Sequence, residues 1–324
     1  FGRCIHHIHL KPFTPSVVKK ILGDFNPKYT AEDLLCLYML SGGVAKYIFL
    51  LMYGKATTKG KMISYATSMT SPFLMDGKDI LVSEIGKEYG IYFMPGSMFE
   101  RVEEDGEVKL YNSIPIFGPD GDLIDVHRKM CPYYPVESHI TKGEKYVTFD
   151  IKEKGIKIGV LNCHDWCFPE ISRNLALMGA EILIRPAMDP EGLYDSCKGI
   201  APTRAFENQA YFISLNCAGK YLGTYNYGKS CIAGPDGRVL YETGSNPMYF
   251  TMTFDVDRGR DARRYGTNYT DQLMRQLKAF NPPQPFANHI GDAPIYENLP
   301  DPDYTFESRA EMFAAEGLMS IGKK

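Results

Sequence analysis

Residues 157–173, KIGVLNCHDWCFPEISR, decide how the rest of this chain is read. Ile158, Val160 and Leu161 make a short apolar run suited to a buried strand. Phe168-Pro169-Glu170 then opens a segment with apolar residues at Ile171, Leu175 and Met178, a helical spacing that stops at Gly179. Pro169 suits the first turn of that helix, where its missing N–H costs nothing. The tight connection between strand and helix carries Cys163, His164, Asp165 and Trp166, the single tryptophan of the chain. Such a turn lifts one side chain out of the packed layer and leaves backbone N–H groups free for a ligand. A cysteine held there can act as a nucleophile, with a neighbouring N–H to receive an oxyanion. The same cysteine also reads as a small buried apolar residue, and the turn alone leaves both open.

Working outward, residues 203–210 (TRAFENQA) predict a helix, 211–219 a strand and 225–244 a hairpin. Gly118-Pro119-Asp120-Gly121 and Gly234-Pro235-Asp236-Gly237 each join two apolar strands, and both supply the φ values a tight turn needs. Two similar strand–turn–strand units fed by strand–helix segments imply two stacked sheets with helices outside. Upstream, the pattern predicts an edge strand in IHHIHLKPF and a helix at 31–40. It then predicts a buried strand at 44–53 (VAKYIFLLMY), a loop at 54–68, a helix at 80–89 and a strand from Ile91. From about Arg260 the proline density rises, so residues 261–324 are expected to drape over the body, residues 1–260, or over a neighbouring subunit, with a last helix near 307–316.

The chain has 324 residues, is 44% hydrophobic and can bury a large core. A net charge of −3 and the short, interrupted basic cluster at 258–264 argue against nucleic acid. Ile48–Tyr53, the longest apolar run, is far short of the roughly 20 residues a bilayer requires. No leader segment is expected at the start, and no membrane partner. The eight cysteines form no CxxC pair, which points to reduced thiols and a cytoplasmic protein. His6, His7 and His9 have no spaced carboxylate or cysteine to complete a metal site, so no metal is expected. No GxGxxG or GxxxxGK[ST] loop follows a strand, so no nucleotide cofactor is expected either.

Two further segments belong with Cys163. His127-Arg128-Lys129-Met130 ends an apolar strand, and Cys131-Pro132-Tyr133-Tyr134-Pro135-Val136-Glu137 follows it. A lysine beside a cysteine lowers the thiol pKa or holds the oxyanion of a tetrahedral intermediate, although most lysines are simply solvated. Taken together, NCHDWCFPE, the RK segment with its PxxPxE continuation, RAFENQAYF, SCIAGPDGRVL and the proline-rich tail resemble the nitrilase (carbon–nitrogen hydrolase) superfamily, closest to its aliphatic amidase and formamidase branch.

That resemblance implies a four-layer αββα sandwich with a pseudo-two-fold repeat, and hydrolysis of a short aliphatic amide through a cysteine thioester. It makes Cys163 the nucleophile, Lys129 the adjacent cation, the His164 N–H an oxyanion donor and Glu137 the supporting carboxylate. Tyr53, Tyr133, Ala187 and Met188 border the pocket. Aligning 44–53 with the family strand that carries the general-base glutamate puts Met52 at the base and Tyr53 beside it. A thioether carries no proton, so the resemblance implies impaired or altered catalysis. The alternative is a catalytically silent member kept for assembly or ligand binding. The family also implies a homo-oligomer, with Leu175 and Met178 on the helix after Cys163 facing a second copy. Asp165, Glu170, Arg173, Cys167 and the Arg204–Glu207 pair are expected to be structural.

Overall fold

A computed structural model describes residues 13–41, 45–67, 81–104, 106–221, 223–297, 299, 302 and 304–315; the expected strand at the start and the three clustered histidines lie outside these residues. The N-terminal part is helical: α1 (Pro15–Phe25), α2 (Ala31–Ser41), α3 (Ala45–Tyr53) and α4 (Lys59–Thr67). Val18, Leu22, Leu37, Ile48, Leu51, Met52, Ala56 and Met62 form their shared core. Two expectations are corrected here. The segment 44–53 is not a strand, and 54–68 is not a loop but holds α4. A short apolar run has no periodicity to tell strand from buried helix. The pattern of burial shows the helix instead: Tyr47, Ile48, Leu51 and Met52 are buried while Phe49 and Tyr53 face out. That is a 3.6-residue period.

The body follows as α5 (Leu81–Tyr89), then β1 (Met98–Glu104), β2 (Glu107–Phe117) and β3 (Leu123–Arg128), which pair as an antiparallel three-stranded sheet. A second, six-stranded sheet has the order β11-β10-β7-β6-β5-β4. Its strands are β4 (Val147–Ile151), β5 (Ile156–Val160), β6 (Ile182–Ala187), β7 (Tyr211–Asn216), β10 (Cys231–Ala233) and β11 (Val239–Glu242). Strands β5, β6 and β7 run parallel. Helix α6 (Pro169–Leu177) connects β5 to β6, and α7 (Ile200–Asn208) lies between β6 and β7. A small hairpin, β8 (Ala218–Tyr221) and β9 (Thr224–Tyr227), projects beyond β7.

The layers follow from which faces are apolar. Ile114 and Ile116 of the three-stranded sheet pack against Val147, Phe149, Ile158, Val160 and Ile182 of the larger one. On the other face Ile171 and Leu175 of α6 and Ala201 and Ala205 of α7 cover Leu183 and Phe212. Helix α5 packs on β2, giving the αββα sequence of layers. The two GPDG turns are hydrogen-bonded alike. Gly118 N–H donates to Asp122 O and Gly121 N–H to Gly118 O, as Gly234 N–H does to Arg238 O and Gly237 N–H to Gly234 O. A register shift follows at the same place in each, at Ile116/Phe117 and Ile232/Ala233. Each turn also lies close against a helix: a Cβ on Gly86 of α5 would come within 2.7 Å of Gly118 O, and one on Gly237 within 3.0 Å of Phe206 Cβ in α7.

Three strands cannot cover six. The inner face of β7 and β10, with Ile213, Leu215 and Ile232, is met by residues 246–254 across a cavity of about 610 Å³. The last part of the chain begins as α8 (Val256–Tyr265) and α9 (Leu273–Phe280) and reaches α10 (Phe306–Ala315). It is fixed to its own body: Arg263 donates to Ala180 O, Asn208 O and Gln209 O, and the Gln209 amide donates to Ala262 O and Asp271 O.

Candidate active site

In a parallel sheet, ligands bind outside the carboxyl ends of the strands. Here Cys163 follows β5, Asp189 follows β6 and Asn216 closes β7, so three successive strand ends converge. Cys163 has φ of +48°, in the left-handed region. A residue other than glycine held there stores about 1–3 kcal/mol of strain, so the surroundings must enforce it. They do so through Asp165. Its fully buried carboxylate accepts the N–H of Asn162 at 3.0 Å, of Met130 at 3.1 Å and of Cys131 at 2.8 Å, and pairs with His127 Nε2 at 3.0 Å. Asp165 thereby ties the cysteine turn to the RK segment. It is a structural residue, as expected, and its side-chain partner is His127 rather than an arginine.

Lys129 follows β3 and is 1% exposed. Its ammonium donates to Glu137 Oε2 at 2.5 Å. Glu137 also accepts the N–H of Tyr133 at 2.7 Å and the side-chain amide of Asn112 at 2.8 Å. Asn112 in turn accepts from the Asn162 amide at 2.9 Å, closing a network between the two sheets. Burial works to discharge Lys129, but Cys163 and Glu137 outweigh it and hold the ammonium above its ordinary pKa. Burial pushes the Cys163 thiol up, opposed by the positive charges of Lys129 and Arg185. Burial wins, so the resting sulfur is a thiol rather than the thiolate that a lysine neighbour alone would suggest.

His164 packs its ring edge-on to Tyr133 at 5.0 Å and to Phe168 at 5.3 Å, with Nδ1 3.3 Å from Cys131 O. Burial and then Lys129 lower its pKa, which keeps the imidazole neutral. Tyr133 and Met188 are partly exposed, and Ala187 ends β6. Tyr133 thus touches the residue next to Cys163, and the Met188 backbone hydrogen-bonds the thiol itself. Met52 and Tyr53 do not join them. Met52 is buried among α1, α2 and α4, and Tyr53 stacks on Phe49 at 4.1 Å, facing solvent. The alignment that made Met52 a substituted base fails because the segment is a helix with its own apolar core. Two smaller expectations also change. Arg173 reaches Met274 Sδ at 2.8 Å instead of pairing with Glu170, and Leu175 is fully buried, unable to face another subunit. Arg204 does pair with Glu207, at 3.1 Å.

The sequence reading passed over Arg185 and Asp189. The Arg185 guanidinium lies 3.5 Å above the Trp166 ring and is fully buried. It donates to Cys163 O at 2.8 Å and to both oxygens of Asp189, at 2.6 and 2.8 Å. Asp189 Oδ1 lies 3.7 Å from Cys163 Sγ. The legible signal was a charged residue inside the apolar strand ILIRPA, since a buried arginine demands a carboxylate. Among the described residues no cluster of three or more histidine, cysteine or acidic side chains is arranged to hold a metal ion.

The carbon–nitrogen hydrolase model matches residues 36–264. The chain belongs to the carbon–nitrogen hydrolase family. A nitrilase from Pyrococcus abyssi is 34% identical over 172 residues, 53% of this chain and 58% of that protein. An omega-amidase from Xenopus laevis is 30% identical over 192 residues, 54% of this chain and 66% of its own length. The chain thus spans little more than half to two thirds of these curated relatives. An amidase of the nitrilase superfamily from Nesterenkonia AN1 superposes with a TM-score of 0.50 at 22% identity, over 66% of this chain and 78% of that one, a likeness of fold. Among the described residues no helix is long and apolar enough to cross a membrane.

Proposed function

We propose that this carbon–nitrogen hydrolase cleaves a short aliphatic amide through a thioester on Cys163. The observation that carries the reading is a thiol set at positive φ on a strand-end turn, beside a buried lysine that a carboxylate holds charged. An ammonium fixed in a dry site favours negative charge developing on a carbonyl oxygen, and fixed donors of this kind supply a large share of acyl-transfer catalysis. Sulfur attacks the carbonyl carbon, and the carbonyl electron pair moves onto oxygen, which meets Lys129 and the His164 N–H. Collapse expels the amine, and water then releases the acid. Glu137 keeps Lys129 charged and aimed. Tyr133, Ala187 and Met188 border the acyl group, and the partly polar wall they make suits a small amide.

The reading of a silent assembly component rested on Met52 in place of the general base; a carboxylate beside the thiol, Asp189, supports activity instead. Leu177, which ends α6, and Met178, which follows it, are 60% and 46% exposed and support a homodimer formed through that helix. A cytoplasmic location is supported by the seven cysteines among the described residues, all of them unpaired. The test is ammonia release from formamide, acetamide and propionamide, beside Cys163→Ala. Release by the parent protein that vanishes in Cys163→Ala, with a mass increase of one acyl group on Cys163 after a rapid quench, supports the reading. No release from any of the three, or release that survives loss of the thiol, sinks it.

A further inference from the structure

We propose that Asp189 is the proton acceptor for the Cys163 thiol and passes that proton to the departing amine. This rests on the amide-hydrolase reading above. The carboxylate is 6% exposed and held from several sides. Oδ2 accepts from Arg185 Nη1 at 2.6 Å and from the Tyr227 hydroxyl at 2.8 Å. Oδ1 accepts from Arg185 Nη2 at 2.8 Å and faces Cys163 Sγ at 3.7 Å. One oxygen therefore carries two protein donors. The other carries one, and its second lone pair is turned to the sulfur. The backbone is pinned as well, with Asp189 N–H donating to Asn216 Oδ1 at 2.7 Å. Glu137 is held by as many donors, Lys129 and Tyr133 on Oε2 and Asn112 on Oε1, but its charge is matched to Lys129, whereas the thiol hydrogen-bonds Asp189.

The proton balance closes without any further group. As the S–C bond forms, the S–H proton moves to Asp189 Oδ1 and the carbonyl pair to oxygen. The Asp189 carboxyl then protonates the amide nitrogen as the C–N bond breaks, and the amine leaves a thioester. Water attacks next, its proton going to Asp189. The S–C bond breaks, and the thiolate recovers that proton. A thiol kept protonated by burial requires such an acceptor. Arg185 fixes Oδ1 in place. The groups facing Asp189 are Arg185, Tyr227, Cys163, Cys167 and Cys197.

Two readouts on Asp189→Asn separate this role from simple packing. Ammonia release from acetamide should fall about 10²–10⁴-fold, the usual range for general-base help. Alkylation of Cys163 by iodoacetamide at neutral pH, followed by mass spectrometry, should instead accelerate. Removing the anion takes away a negative charge beside the thiol and leaves Arg185 unpaired, while Lys129 keeps Glu137, and each unit by which the thiol pKa drops is worth roughly tenfold in thiolate. Unfolding would also expose the thiol, so the faster alkylation counts only where Asp189→Asn keeps the parent's urea midpoint and its other cysteines are labelled no faster than in the parent. Hydrolysis by Asp189→Asn within a few-fold of the parent overturns the inference and leaves the amidase reading intact. A parent protein that releases no ammonia removes that reading and the catalytic role with it; unchanged alkylation would also remove the contact with the thiol. Should Asp189→Asn not fold, Tyr227→Phe decides. Losing a donor to Oδ2 lets the carboxylate turn away from the sulfur, so kcat for ammonia release must fall several-fold with KM unchanged. A kcat that stays in place overturns the proposal.

Discussion

The helical cluster of residues 15–67 and the sandwich that follows bury their side chains by opposite rules. The core of the cluster is made of Val, Leu, Ile, Met and Ala. Its buried carboxylate, Asp33, is spent on backbone: it accepts from Thr30 N–H at 2.8 Å and Lys59 N–H at 2.6 Å, while Thr30 Oγ1 accepts from Asp33 N–H at 3.2 Å. That reciprocal pair is a helix cap, and it needs no chemistry. The sandwich instead buries Lys129, Asp165, Arg185 and Asp189 around the strand ends that carry Cys163. Paired charges in an apolar interior are costly and add little net stability. Their concentration around one thiol is therefore a functional signature, whereas the apolar cluster is explained by folding alone.

That contrast can be broken most sharply at Lys129. Lys129→Met strands Glu137 in the interior, so urea unfolding should show a loss of about 3–5 kcal/mol. The Cys163 thiol, already raised by burial, should rise further, moving the iodoacetamide rate profile of the folded protein to higher pH. A profile that stays put or moves to lower pH would mean the ammonium does not act on the sulfur.

A smaller effect is expected in the cluster. Met52→Glu places a carboxyl among Leu22, Leu37 and Leu51, at a cost of about 2–3 kcal/mol, with no gain in ammonia release. Any gain in amidase rate would bring the cluster into the site and overturn the division drawn here. The smallest change is Asp33→Ala, which removes the cap at about 1 kcal/mol. Backbone N–H donors hold the Asp33 carboxyl below its ordinary pKa. Its contribution is thus present above the unfolded-state carboxylate pKa and is lost as pH falls through the lower folded value. Urea midpoints measured from pH 7 down to pH 2 should therefore converge for the parent and Asp33→Ala. Midpoints that remain apart at low pH would refute the linkage.

Local sequence carried much of the sandwich. Ile158, Val160 and Pro169 marked β5 and α6, and the two GPDG turns marked the repeat, because each depends on neighbours within a few residues. Residues 44–53 misled for the same reason. A continuous apolar run lacks a polar face, and only packing against α1, α2 and α4 made it helical. The site was half legible. Cys163, Lys129 and Glu137 stood in recognisable motifs, while Arg185, Asp189 and Tyr227 did not.

By its own order of residues the chain determined the strand–turn–helix that presents Cys163, the paired hairpins and the family to which it belongs. Tertiary structure alone decided that Met52 belongs to a separate core and that Asp189 faces the sulfur. Arg185 and Asp189 are four residues apart on a strand end, not on a helix, so no periodicity pairs them. Tyr227 reaches them from 38 residues away. Side-chain pairing across such separations is set by how sheets stack and where strands end, which local spacing does not encode.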